Sequence, residues 1–375
     1  MKLSGRTVIL GSLLTIALGL ALSASGAPGQ APPLTNPGFE CTQGFAPQEG
    51  INGLVPAGWT AARLAGNPKL NSTLIEFAKN CDPGASIEHL EGIDSLVILA
   101  EDIEEPPAPG KPFDVVITQQ VTVTQGVAYS LSGWLVSFCG GSATPNDCPE
   151  GYAITKLAGL DPTGGRDPGA ASVVWAEDRR NFTESRWANL RLGATAQAMT
   201  LTIFARVASP FQWHGAHAIV DAFSLVEAPT AHFVDLPPVA GWMMITVRWD
   251  GALSPDIAAI PAGNYHLRFD IQTRGAGQLD WRDWLMDQPA GEATFTAAFC
   301  APTQIHEFRV RARAEQPEGV PGASPNHRYP GVWSAPAAIT FERDVPCPPR
   351  AYLPLVVNSA LDTSPGQPAA TRSRK

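Results

Sequence analysis

The stretch QQVTVTQGVAYSLSGW, residues 119–134, decides the fold class of this chain. Apolar and polar residues alternate through 115–123 and again through 127–135, on either side of Gln125-Gly126. An alternation of period two is typical of a strand with one buried face, because successive side chains point to opposite sides. A Gly-containing turn between two such runs predicts an antiparallel hairpin.

Composition extends this interpretation to the rest of the chain. Thirty-five glycines and 35 prolines among 375 residues separate short apolar runs and leave little room for long helices. The length also exceeds what one hydrophobic core usually holds. We therefore predict an all-β protein with two domains.

The N-terminal segment 1–27 has the order of a secretory signal. Lys2 and Arg6 precede an apolar run, 8–22, which is followed by small residues. A membrane anchor is the alternative, but the run is shorter than the ~20 apolar residues that span a bilayer. We expect a secreted, extracellular or cell-surface protein with no transmembrane segment in the mature chain.

Charge and cysteine content narrow the partners. The net charge of −9, with basic residues dispersed along the chain, argues against nucleic acid as a partner. An even number of cysteines in an exported chain suggests three disulfides, although fifteen pairings are open. No cysteine has the spacing of a zinc site. The six lie at Cys41, Cys81, Cys139, Cys148, Cys300 and Cys347.

Three segments carry a resemblance to a known family. LTNPGFE (34–40), PAGW (56–59) and AIVDAFSL (218–225) resemble the opening and closing segments of jelly-roll carbohydrate-binding modules of the family 4/9, galactose-binding-like type. Residues 119–134 are similar to the central hairpin of those modules. The resemblance implies a jelly-roll domain over 32–228 whose partner is a polysaccharide or another glycan.

The same resemblance implies a structural calcium ion. Asp221 is predicted to share an inward face with Ile219, Phe223 and Leu225, where an uncompensated carboxylate is costly. In the family, an acidic residue of the first strand and an Asp of the last strand help to hold calcium, which here are Glu40 and Asp221. An arginine partner or a cluster of backbone amides is the alternative that the residues leave open.

Glycan binding also needs a flat aromatic surface flanked by hydrogen-bonding groups. Trp134 is predicted on the face opposite Tyr129 and Leu131, and Trp213 lies in a turn-rich loop. Packing within the sandwich and a cover over its end are the alternatives for these two. The candidates for the glycan-binding surface are Trp134, Trp213, Trp175 and Trp187.

The region 229–346 resembles a fibronectin type III domain, an immunoglobulin-like sandwich, reached through a Pro-rich joint. ITVRW (245–249), YHLRFDIQ (265–272) and EFRVRA (307–312) are similar to its strands B, C and F. His306 stands where that family has the tyrosine of its corner hydrogen bond. The bond is then either absent or rebuilt by the imidazole.

The resemblance also bears on the disulfides. It places Cys300 and Cys347 at one pole of the second domain, which implies a bridge there. Cys139 and Cys148 flank a Gly/Pro/Asn loop and are expected to pair, which leaves Cys41 for Cys81.

The tail, 347–375, contains Tyr-Leu-Pro-Leu-Val, similar to an element near the C-termini of some bacterial exported proteins. This suggests a surface-attachment segment, and an extra edge strand before a disordered tail is the alternative.

We therefore expect a non-catalytic exported protein that binds glycan, with the second domain as a spacer. The first alternative is a structural or adhesive surface protein whose jelly roll binds protein or binds no sugar. Its protein partners would then be cell-envelope or extracellular proteins. A glycosidase-associated accessory protein is a minor alternative. No catalytic motif stands out, so we do not expect an enzyme.

Overall fold

The computed structural model describes residues 34–81, 88–100, 111–138, 153–181, 186–212, 215–241, 244–260, 264–297, 303–316 and 326–342. Within these ranges the protein is all-β and forms two sandwiches, which confirms the predicted fold class. Residues 1–27 and 347–375, the predicted signal and tail, lie outside them. No helix in the described ranges is both long enough and apolar enough to cross a membrane.

The first sandwich holds two sheets. Its strands are β1 (Phe45–Pro47), β2 (Asn52–Pro56), β3 (Thr60–Ala65), β4 (Lys69–Ser72), β5 (Leu96–Leu99), β6 (Lys111–Thr122), β7 (Ala128–Phe138), β8 (Thr155–Asp161), β9 (Val174–Asp178), β10 (Ala188–Thr195), β11 (Thr200–Gln212) and β12 (His217–Glu227). In sheet 1 the order is β1-β2-β4-β5-β12-β7-β10, and in sheet 2 it is β3-β6-β11-β8-β9. A 3-10 turn (Cys41–Gln43) and a π-helix (Leu74–Ala78) complete it.

The predicted alternation is confirmed, but the predicted hairpin is wrong. Most inward residues of both runs are buried between the sheets, and Ile117 and Leu131 are fully buried there. However, β6 pairs with β3 and β11 in sheet 2, whereas β7 pairs with β10 and β12 in sheet 1. The turn at Gln125-Gly126 therefore crosses the core from one sheet to the other. Alternation specifies which face of a strand is buried, and leaves its hydrogen-bonding neighbour open.

Two residues separate the end of β12 from the first strand of the second sandwich. Its strands are β13 (Thr230–Val234), β14 (Val239–Ala240), β15 (Met244–Ala252), β16 (His266–Gly275), β17 (Arg282–Gln288), β18 (Gly291–Thr296), β19 (Thr303–Glu315), β20 (Tyr329–Pro330) and β21 (Ala337–Glu342), with helix α1 at Pro255–Ala259. Sheet 3 has the order β13-β15-β18, and sheet 4 has β14-β21-β19-β16-β17, with β20 paired to β19. Trp249, Phe269, Phe308 and Val310 lie in the core between them.

His306 is half-buried beside this second core. Its ring contacts Phe295 edge-on at 5.0 Å, and its Nε2 lies 3.1 Å from Oε1 of Gln304. The imidazole therefore bonds to a neighbouring side chain, and burial lowers the pKa of His306.

The two sandwiches pack directly on each other. Val226 of β12 joins Ile257, Ala314 and Tyr329 in a shared apolar cluster. A Cβ added to Gly193 would come within 2.8 Å of the carbonyl oxygen of Pro330, so glycine permits the close approach of β10 to β20.

One predicted disulfide falls within the described residues. Cys41 and Cys81 are bridged, with their Cα atoms 6.0 Å apart, as expected. Cys139, Cys148, Cys300 and Cys347 lie outside the described ranges, so their pairing stays a prediction.

Candidate functional site

The candidate site is built on the outer face of sheet 1. Trp134 of β7 is the cross-strand partner of Asn189 on β10 and of Asp221 on β12, so the three form a row across the sheet. Trp134 lies on the face opposite the buried Leu131 and Leu135, and its ring is partly exposed. Three neighbouring strands thus present an indole, an amide and a carboxylate at one level.

Asp221 faces outward with Ile219, and a β-bulge directly after it changes the face of the residues that follow. Val220 faces the main core and Ile219 faces outward, yet beyond the bulge between Asp221 and Ser224 it is Phe223 that faces inward. Ala222, at φ 49°, takes the left-handed conformation that absorbs the extra residue. The prediction that Asp221 shares an inward face with Ile219 and Phe223 is therefore wrong. Residues 218–225 are apolar at both odd and even positions, which was the signal in the sequence that the inward face changes along this strand.

Asp221 is nevertheless fully buried, because the segment 88–93 covers it. Its Oδ2 accepts hydrogen bonds from the amides of Leu90, at 2.7 Å, and Glu91, at 3.0 Å, and its Oδ1 accepts from Ala222. Burial raises the pKa of Asp221 well above its usual value, against the lowering effect of these three donors. The backbone-amide cluster that the sequence left open is thus present.

Glu40 lies close by, in a turn and not in a strand as the resemblance implies. Both of its carboxylate oxygens accept from the amide of Ile93, and burial raises the pKa of Glu40. A Cβ on Gly38 would lie 3.5 Å from Glu40 Oε1 and 3.9 Å from Asp221 Oδ1, so the two carboxylates face one small space.

Calcium prefers several oxygen ligands, and the side chains of Glu40 and Asp221 supply carboxylate oxygens. Glu40 and Asp221 are two carboxylates of raised pKa, and such a pair fits a divalent cation in its chemistry. Within the described residues, no group of three His, Cys, Asp or Glu side chains is arranged to hold a metal ion. Backbone carbonyl oxygens would have to complete the coordination of a calcium ion at Glu40 and Asp221.

A cavity of about 570 Å³ opens over the other end of the row; we call it the Trp134 cavity. Sheet 1 contributes Trp134, Asn189 and Arg191 to its wall. The edge of sheet 2 contributes Glu177 and Arg180, and the second sandwich contributes Asn326 and Arg328.

Three polar atoms of this wall are buried without a hydrogen-bond partner in the described part of the chain. They are Nε1 of Trp134, Oδ1 of Asn189 and Oδ1 of Asn326. A buried polar atom without a partner costs about 1–3 kcal/mol, so such atoms are rare unless a ligand or water satisfies them. The wall offers one donor and two acceptors to whatever fills the cavity.

Beside the cavity, hydrogen bonds hold the second sandwich against sheet 1. Nδ2 of Asn189 donates to Oγ of Ser132 at 2.7 Å, and that hydroxyl lies 3.0 Å from Nδ1 of His327. His327 stacks on Tyr329, whose hydroxyl lies 2.9 Å from Oγ of Ser224. Burial lowers the pKa of His327 to about 4, so the ring is neutral at pH 7.

Arginines dominate the charge around the cavity. Arg180 is paired with Asp178 at 2.7 Å. A neighbouring cavity of about 620 Å³ shares Arg191 and adds Arg311 and Arg313, both of which lie near the buried Asp270, at 2.9 and 3.0 Å. Arg191 and Arg328 differ, since neither has an ion pair with any residue in the described ranges.

The predicted tryptophans are not brought together. Trp187 shares the outer face of sheet 1 with Trp134, but it packs among Val136 and Ile219 and donates from Nε1 to Glu88 at 2.8 Å. Trp175 lies on the opposite side of the sandwich, against Gly159 and Phe204. Trp213 lies outside the described residues. Sequence reasoning missed Asn189, Arg191, Asn326 and Arg328, which local patterns do not connect.

No family model matches the chain, and no curated protein matches it. It is similar to the module TmCBM61, solved in complex with beta-1,4-galactotriose, at 15% identity and TM-score 0.32, over 52% of this chain and 97% of that one.

Two further solved structures belong to other classes. The enzymatically active domain of tailspike protein 4 from bacteriophage CBA120 matches at 11% identity and TM-score 0.30, over 46% of this chain and 19% of that one. The adhesin domain of Epf from Streptococcus pyogenes matches at 9% and 0.24, over 68% and 78%. A carbohydrate-binding module, an enzyme domain and an adhesin domain are thus similar to this chain, and likeness of this degree carries no argument among their functions.

Proposed function

We propose that this chain is an exported, non-catalytic protein that binds a glycan in the Trp134 cavity. The observation that carries the proposal is the set of buried, unpartnered polar atoms beside a partly exposed indole, Nε1 of Trp134 with Oδ1 of Asn189 and of Asn326. A sugar ring offers hydroxyl donors and acceptors together with an apolar C–H face, which matches an amide-and-indole wall. Glu177 is the only carboxylate among the described residues of the wall, which supports binding rather than acid–base catalysis.

The finer fold assignments are part of the proposal. The first sandwich is a jelly-roll module of the carbohydrate-binding family 4/9 type. The second is a fibronectin type III domain, supported by the separation of β13, β15 and β18 in one sheet from β21, β19, β16 and β17 in the other. Because Asn326 and Arg328 line the cavity, this second domain acts as a wall of the site as well as a spacer.

Calcium at Glu40 and Asp221 completes the proposal. When bound, the ion would neutralise the buried Asp221 and the half-buried Glu40 and fix the segment 88–93 over sheet 1. Its role is structural, since the Trp134 cavity uses other residues.

The test is a glycan panel of neutral and acidic polysaccharides, probed with the full mature chain. We expect measurable binding by the wild type and a loss of about 30-fold in Trp134→Ala, since a tryptophan anchor contributes about 2 kcal/mol. Trp175→Ala is the matched control, and it should bind like the wild type. If the intact chain binds no glycan on the panel, the proposal is wrong and the structural or adhesive role replaces it.

A further inference from the structure

We propose that the glycan carries an acidic group, a carboxylate or a sulfate ester on a sugar ring, and that Arg191 and Arg328 hold this group between the two sandwiches. This inference rests on the proposed function and adds the chemical class of the ligand.

The arginines of the described ranges differ in whether they have an acidic partner. Many arginines of the described ranges have acidic partners, as in Arg206 with Asp114 at 2.5 Å and Arg248 with Glu292 at 2.6 Å. Arg309, which lacks an acidic partner, instead donates to the side chain of Gln272. Arg191 and Arg328 line the same cavity and have no ion pair within the described ranges, in a protein whose net charge is −9. Two unpaired guanidinium groups in a half-buried space favour an anion.

This arrangement has an electrostatic cost. Burial lowers the pKa of Arg191, and the nearby charge of Arg328 lowers it further. Arg311 and Arg313 add to the repulsion, only partly offset by Glu315. An anion between Arg191 and Arg328 would relieve this repulsion, and a guanidinium can bind a carboxylate or sulfate through two parallel hydrogen bonds.

The amide oxygens in the cavity favour an acidic sugar over a free inorganic anion. The unpartnered oxygens of Asn189 and Asn326 need hydrogen-bond donors, which phosphate and sulfate ions at neutral pH supply poorly. The orientation of the Asn189 amide is fixed, because its Nδ2 donates to Ser132 Oγ and to the carbonyl of Gly133. Sugar hydroxyls can donate to these oxygens while the acidic group reaches the arginines. The cavity therefore fits both halves of an acidic saccharide.

The experiment compares matched polymers on the full mature chain. The first arm sets uronate polysaccharides against their carboxyl-reduced forms, and the second sets sulfated polysaccharides against their desulfated forms. Affinity is measured by calorimetry, with inorganic sulfate as a competitor. We expect at least tenfold tighter binding to the acidic member of one arm, which identifies the group as carboxylate or sulfate.

Three arginine variants locate the group. Arg328→Gln should weaken binding of the acidic polymer about tenfold and leave that of its neutral counterpart unchanged. Arg328→Glu places a carboxylate opposite Arg191, so it should abolish acidic binding and raise the melting temperature. Arg63→Gln is the control, because Arg63 is an exposed arginine of β3 on the far sheet.

Each outcome decides between the proposals. If the wild type binds the neutral forms as tightly as the acidic ones, this inference is wrong while glycan binding stands. If Arg63→Gln weakens binding as much as Arg328→Gln does, the effect is nonspecific charge and the assignment to Arg191 and Arg328 fails. If inorganic sulfate alone binds and no polymer does, both this inference and the proposed function fail.

Discussion

The two outer faces of the first sandwich present the same kinds of residue in different settings. On sheet 2, Trp175 lies over Gly159, where a Cβ would come within 2.7 Å of its ring, and contacts Phe204 at 5.5 Å. On sheet 1, Trp134 lies in a row with an amide and a carboxylate, and its Nε1 is buried without a partner in the described ranges. A tryptophan on a sheet face therefore indicates a binding surface only when its polar neighbours are left unsatisfied.

The largest expected effect concerns the disulfide beside the segment 88–93, which covers part of the outer face of sheet 1. Cys41 and Cys81 close a loop of sequence separation 40, and the amide of Cys41 donates to the buried Asp94, beside the segment 88–93. Replacing both cysteines by serine should lower the free energy of unfolding by about 4 kcal/mol, measured by denaturant titration.

Hydrogen exchange can localise that effect. Amides of 88–94 should exchange faster in the double variant, while those of β8 in sheet 2 keep their protection. Equal loss of protection on both faces would contradict the idea that the bridge serves sheet 1.

The second effect depends on pH and acts where the second sandwich covers sheet 1. The pKa of His327 is about 4 when folded, below the 6.5 of the free side chain, so the unfolded chain binds more protons between these values. The stability from the neutral ring is complete above pH 6.5 and is lost as the pH falls through 4. Roughly 2 kcal/mol should be lost between pH 7 and pH 4.5.

Two arginines lie near His327, whose pKa is lowered by burial. Arg328 follows it in the sequence, and Arg191 is the cross-strand partner of Ser132, which bonds to the imidazole. Thermal melts of the wild type and His327→Gln across this pH range make the test. The difference in stability between the two should shrink on acidification, and a constant difference would contradict the assignment.

The third effect separates the two tryptophans by stability. Trp175→Ala removes ring contacts with Gly159 and Phe204, so it should lower the free energy of unfolding by about 2 kcal/mol. Trp134→Ala should cost less, because it also removes a buried unpartnered N–H. A larger loss in Trp134→Ala, measured by denaturant titration, would make Trp134 a core residue and remove the contrast.

The smallest expected effect is the stabilisation by calcium at Glu40 and Asp221. Calcium at ten times its Kd should raise the free energy of unfolding by about 1.4 kcal/mol, and Glu40→Gln should abolish the response. Glu292→Gln, on the second sandwich, is the control. A wild-type melting temperature that is the same in calcium and in chelator would mean that backbone amides alone stabilise Asp221.

The sequence predicted buried faces better than neighbours. Ile117, Leu131 and Val310 were placed inward correctly, because alternation is a local property of each strand. The partners of β6 and β7 could not be predicted, since the turn at Gly126 permits either a hairpin or a crossing between sheets. The Trp134 cavity was predicted only through its indole. Its arginines and amides lie on strands and a loop from both sandwiches, and only long-range packing brings them together.

The connection between the sandwiches has a mechanical consequence. β12 ends at Glu227 and β13 begins at Thr230, and around this short link Ser254 donates to the carbonyl of Glu227 at 2.6 Å while Asp256 accepts from its amide at 2.9 Å. A pulling force along the chain would load these bonds and the contact between Ser224 and Tyr329 at the same time. The link cannot lengthen until all of them rupture together, so under tension the pair of sandwiches should bear load as a single unit.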